Sequence, residues 1–108
     1  MSGIKSQLQP NFQTLSAKIL SVLQPYQVRR IAVFGSVVRD EDRPGSDIDI
    51  LVSLRPPGER PVIGLKWFAI IEELSRVLER PVDLVTEDGL SPHIRPYVEK
   101  EMVILYEE

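Results

Sequence analysis

Apolar residues recur at Ile4, Leu8, Phe12, Leu15, Ile19 and Leu23, and these spacings of three and four mark one face of a helix. Pro10 interrupts the run, so the pattern predicts a solid helix from about Asn11 to Gln24, with Pro10 near its first turn and Pro25 as its stop. The pattern then changes period. Val28 to Phe34 (VRRIAVF) and Asp47 to Leu54 (DIDILVSL) are short, β-branched runs that predict two strands. Arg55 to Pro61, with three prolines and a glycine, predicts a loop. Helical spacing returns from Val62 to Glu79, where Ile63, Trp67, Ile70, Ile71, Leu74, Val77 and Leu78 share one side, and Pro81 ends it. Val82 to Val85 (VDLV) predicts a third strand and Glu87 to Leu90 a turn. Ser91 is placed to cap a helix opening at Pro92 and running to about Lys100, and Met102 to Tyr106 predicts a last strand. The order helix, strand, strand, helix, strand, helix, strand implies an α/β sheet with helices packed on one or both faces.

Two acids break the apolar second strand. In extended chain, residues i and i+2 face the same way with Cα atoms ~6.6 Å apart, so Asp47 and Asp49 share a face opposite Ile48 and Ile50. Two carboxylates ~5 Å apart repel by roughly 3 kcal/mol at an effective dielectric of ~20, and by under ~1 kcal/mol in free solvent. Such a pair takes up a proton or holds a cation. Asp83 stands in a similar context, and if its strand neighbours the second in register, three carboxylates converge as hard oxygen ligands of the kind Mg²⁺ favours. For a lone D-x-D pair, a common pattern, a solvated strand end with both acids in water is the commoner account.

Gly35-Ser36 ends the first strand. Glycine lets a ligand approach the backbone, the N–H groups that follow can cradle a phosphate, and Ser36 adds a hydroxyl; a plain turn is the competing reading. Arg39 can clamp phosphate oxygens or pair with Asp40, Glu41 and Asp42. Ser46 can cap the acidic strand or position a ligand.

Composition narrows the setting. At 108 residues and 43% apolar content the chain reads as a single globular domain, 1–108, with an N-terminal helical segment at 1–25 and a core at 28–106. It contains no cysteine, which excludes disulfides and thiolate metal sites and fits the cytoplasm. The N-terminus lacks a signal-peptide pattern, and no apolar run approaches the ~20 residues of a membrane span. The net charge of -3 argues against a broad nucleic-acid-binding face.

The spacing Gly35-Ser36, ten residues, Asp47-x-Asp49, followed by VDLV with Asp83 and the ending VILYEE, resembles the nucleotidyltransferase superfamily with the DNA polymerase β-type palm. The likeness is strongest to minimal nucleotidyltransferase (MNT) antitoxins paired with HEPN ribonuclease toxins. It extends from Val28 to the end of the chain. One departure is Asp40, where the family often has glycine after the arginine; it touches the role of Arg39 more than the acids.

The resemblance implies a small mixed sheet with helices packed on it. It implies two Mg²⁺ ions held by Asp47, Asp49 and Asp83, with Asp83 also the candidate base. Gly35 and Ser36, with Arg39 and Ser46 as further candidates, would hold the triphosphate of ATP. The implied reaction transfers AMP to a tyrosine of the partner toxin and silences it. Two alternatives stand beside this: a catalytically silent antitoxin acting by contact, and a nucleotidyltransferase acting on a small molecule or an RNA end. A chain this small must borrow its acceptor surface from the toxin or from a second copy, so homo- or hetero-oligomers are expected.

Four residues are read as structural. His93 is taken as a surface or capping residue, Trp67 as core, and Tyr97 and Tyr106 as packing. Phe68 is a candidate for a partner-facing patch.

Overall fold

The computed structural model describes residues 10–38, 46–59 and 62–108. Ile4, Leu8, Arg39 and Asp40 lie outside the described residues. Helix α1 spans Pro10–Leu23 and strand β1 Val28–Phe34, with a 3-10 turn at Gln24–Tyr26 between them. Strand β2 (Ile48–Leu54), helix α2 (Lys66–Leu78), strand β3 (Val82–Thr86), helix α3 (Arg95–Glu101) and strand β4 (Val103–Glu107) follow.

The strands form one mixed sheet in the order β3-β2-β1-β4. β1 runs antiparallel to both β2 and β4, whereas β2 and β3 are parallel, with α2 as the crossover between them. Helices cover both faces, so strand alternation separates two apolar layers. Ile31 and Val33 of β1, Ile48, Ile50 and Val52 of β2, and Leu84 of β3 pack with α1 and α2. Leu15, Ile19 and Leu23 of α1 and Ile70, Leu74 and Leu78 of α2 complete that core, which makes the N-terminal helix part of the same body as the sheet. On the opposite face a smaller cluster of Ala32, Leu51 and Val98 seats α3.

Pro25 stops α1 as expected: the helix ends at Leu23, and Pro25 sits in the first positions of the 3-10 turn that follows, where its missing N–H costs nothing. Other boundaries differ from the sequence expectation. Helix α2 starts at Lys66 rather than Val62, because Gly64 takes φ of +50° and the chain turns there. Helix α3 starts at Arg95 rather than Pro92: the Ser91 carbonyl accepts from the N–H groups of Ile94 and Arg95, holding residues 92–94 as a turn. Asp47 precedes β2 instead of opening it.

Five side-chain expectations can also be compared. Trp67 is half-buried against the main core, as is Tyr106. Tyr97 is 74% exposed on α3 and does not pack. Its helix is anchored instead through Val98, which leaves the neighbouring position outward. Phe68 is 69% exposed, close in sequence to Val62 and Leu65, which are 84% and 85% exposed. His93 is exposed, and its N–H donates to the Ser91 hydroxyl.

Candidate nucleotide site

The acids lie on the face of the sheet that carries α3. Val85 and Leu51, which share it, pack around Val98, and two residues earlier on each strand the same alternation places Asp83 and Asp49. In the parallel register Asp49 is the direct partner of Asp83, and Ile48 and Ile50 partner Val82 and Leu84. Adjacent strands lie ~4.8 Å apart, so the two carboxylates stand side by side. On its other side Asp49 is opposite Phe34, the last residue of β1, which brings the Gly35 turn directly against it.

That approach explains the glycine. Gly35 has φ of +80°, and a Cβ built there would lie 2.1 Å from Asp49 Oδ2. The position therefore requires glycine twice, for its backbone angle and for the carboxylate beside it. Gly35–Val37 forms a short 3-10 turn closed by the Val38 N–H donating to the Gly35 carbonyl at 3.0 Å. The Gly35 N–H itself donates to Glu101 Oε1 at 2.7 Å. Ser36 is half-buried in the turn.

The mouth of β2 is tied to the end of the α2 crossover. The Ile48 N–H donates to the Pro81 carbonyl at 2.9 Å, and Arg80 Nε donates to the Ser46 carbonyl at 3.0 Å. These bonds fix where Asp47 and Asp49 emerge relative to Asp83. Asp47 and Asp83 are exposed and Asp49 is half-buried. With two of the acids in solvent, their mutual repulsion belongs to the lower figure, under ~1 kcal/mol per pair.

Among the described residues no three acidic or imidazole side chains already surround a common point. The arrangement is an Asp49–Asp83 pair on neighbouring strands, with Asp47 at the strand's mouth. Such a donor set fits Mg²⁺, which is usually bound through one or two carboxylates while phosphates and water fill the remaining positions. The Gly-Ser turn beside the pair is where those phosphates would lie. Glu101 was not anticipated from sequence. It lies 66 positions from Gly35, and nothing in the local pattern around VEKEM signals the contact.

A second charged cluster on the same face is structural. Arg30 on β1 donates from Nε to Glu87 Oε2 at 2.8 Å, and Arg95 of α3 donates to the Glu87 carbonyl. The Glu87 hydrogen bond raises the Arg30 pKa against the opposing effect of burial, so this guanidinium keeps its charge.

Comparison with known proteins bears on the family and on the fold. Residues 16–105 match the family model described as a nucleotidyltransferase domain. Protein adenylyltransferase MntA of Thermococcus cleftensis is 38% identical over 89 residues, covering 82% of this chain and 86% of that protein. A toxin–antitoxin structure with AMP-PNP superposes with a TM-score of 0.71 at 23% identity, over 86% of this chain and 73% of that one. The structure of a tri-AMPylated Shewanella oneidensis HEPN toxin in complex with MNT antitoxin gives 0.67 at 22% identity, over 90% and 73%. At those identities the two structures speak for the fold alone. Among the described residues no helix is long and apolar enough to cross a membrane.

Proposed function

Because the chain belongs to the nucleotidyltransferase domain family, we propose that it is an antitoxin adenylyltransferase, transferring AMP from ATP to a tyrosine hydroxyl of a HEPN ribonuclease and so silencing it. The observation that carries this reading is the register of Asp49 beside Asp83, with Gly35 pressed against Asp49. A purely structural strand pair has no need of two acids and an obligatory glycine at one point. The relatives' names supply the substrate class: an adenylyltransferase by sequence, and an AMPylated HEPN toxin among the proteins sharing the fold.

In this proposal the Gly35–Ser36 turn receives the triphosphate through the Ser36 hydroxyl and backbone N–H groups beyond Gly35. Asp47, Asp49 and Asp83 would hold two Mg²⁺ ions, which neutralise charge on the phosphates and on the departing pyrophosphate. The tyrosine oxygen attacks the α phosphorus in line, a new P–O bond forms, and the bond to the β-phosphate oxygen breaks. A phenol has a pKa of ~10, so its proton needs an acceptor at neutral pH. In this reading Asp83, exposed on β3, is the candidate that takes it. Arg39 and Ser46 remain candidates for phosphate contacts. The setting is the cytoplasm, where ATP is available.

The test uses the protein co-expressed with its partner, Mg²⁺ and ATP labelled on the α phosphate. Label on a partner tyrosine, lost in Asp49→Asn, is the expected result. Full neutralisation of the ribonuclease by a protein carrying both Asp47→Asn and Asp49→Asn would refute it in favour of inhibition by contact.

A further inference from the structure

We propose that Glu101 is a positioning residue for the nucleotide site, holding the Gly35–Ser36 turn at a set distance from Asp49; its catalytic consequence rests on the function proposed above. The turn is gripped from two sides. Asp49 Oδ2 fills the space a side chain at Gly35 would need, and Glu101 Oε1 accepts the Gly35 N–H at 2.7 Å. Backbone N–H bonds to a carboxylate are roughly twice as strong as neutral ones, and this contact is partly buried.

Glu101 is the last residue of α3, and its helix is seated on the sheet through Val98 against Ala32 and Leu51. The carboxylate therefore acts from a fixed platform. Because it occupies the Gly35 N–H, that group is not a phosphate donor; the brace orients the donors that follow it. Glu101 thus acts through the backbone and not on the nucleotide.

Two variants separate this role from others. Glu101→Gln keeps an acceptor oxygen at the same reach, whereas Glu101→Ala removes it. Amide hydrogen exchange at Gly35 should be slow in the wild type, intermediate in Glu101→Gln, and about ten- to a hundredfold faster than wild type in Glu101→Ala, the worth of a hydrogen bond to a charged group. In the labelled-ATP assay with the partner present, kcat/KM should fall by a similar factor in Glu101→Ala and largely recover in Glu101→Gln. Unchanged exchange at Gly35 in Glu101→Ala overturns the proposal. So does a Glu101→Gln protein as slow in transfer as Glu101→Ala while Gly35 stays protected, because the negative charge itself would then be the active feature. A wild-type protein that transfers no AMP would refute the proposed function, and the exchange rates would then decide the brace alone.

Discussion

Placing alanine at residue 35 puts a methyl group where Asp49 already is. The built Cβ lies 2.1 Å from Asp49 Oδ2, a distance at which one of the two must move. The backbone angle of +80° adds a penalty of ~1–2 kcal/mol for any residue with a Cβ. Turning the Asp49 side chain away from its preferred rotamer adds ~0.5–1.5 kcal/mol. Together these give a loss of about 2–3 kcal/mol, which for a domain of this size lowers Tm by roughly 10–20 °C. Thermal unfolding followed by circular dichroism measures that loss, and transfer from labelled ATP to the partner should fall below detection in the same protein. Gly58→Ala is the control, because nothing lies within 4 Å of a Cβ there; its stability should stay within ~0.5 kcal/mol of wild type. A Gly35→Ala protein that melts within ~2 °C of wild type and still transfers AMP would refute the close approach of turn and carboxylate.

Asp83→Asn should fold normally, since its side chain is exposed, while losing at least about a hundredfold in AMP transfer if it contributes to a Mg²⁺ site worth several kcal/mol. Mg²⁺ with ATP at about a hundred times its Kd should stabilise the wild type by ~2.7 kcal/mol, and a differential scan of Asp49→Asn should show no such shift. Leu74→Ala, at a fully buried position, should cost ~2–5 kcal/mol in urea unfolding with no direct effect on the site. Arg30→Ala strips Glu87 of its partner and should cost ~1–3 kcal/mol. Because the folded-state pKa of Arg30 is raised, its contribution is complete below the ordinary arginine pKa and is lost only as pH climbs past the raised value. The gap between Arg30→Ala and wild type should therefore be constant across neutral and mildly alkaline pH.

Where periodicity and burial agreed, the elements were legible in the chain. VRRIAVF is a strand over the whole expected range because it alternates between two covered faces, and α1 follows its Phe12, Leu15, Ile19, Leu23 stripe. Where an apolar residue was left in solvent, the pattern misled: Ile63 is buried as its place on the stripe implies, yet Gly64 turns the chain, the helix starts only at Lys66, and Val62 and Leu65 remain exposed. Tyr97 failed for the same reason, one position from a buried valine on a helix too short to signal its own phase. At the site, spacing alone placed Asp47 and Asp49 at the mouth of one strand. The pairing of Asp49 with Asp83 depends on the crossover through α2, and the bond from Gly35 to Glu101 on the seating of α3. Neither is a local property.

Residues 35, 49, 83 and 101 come from four separate segments, and β2 meets β3 only after a helical excursion between them. Parallel pairing of this kind closes late, because the connecting chain must be ordered before the contact forms. A ribosome that has released only the first two strands has made a hairpin without Asp83 or its brace. The site in such a chain is whole only once β3 and α3 have joined the sheet.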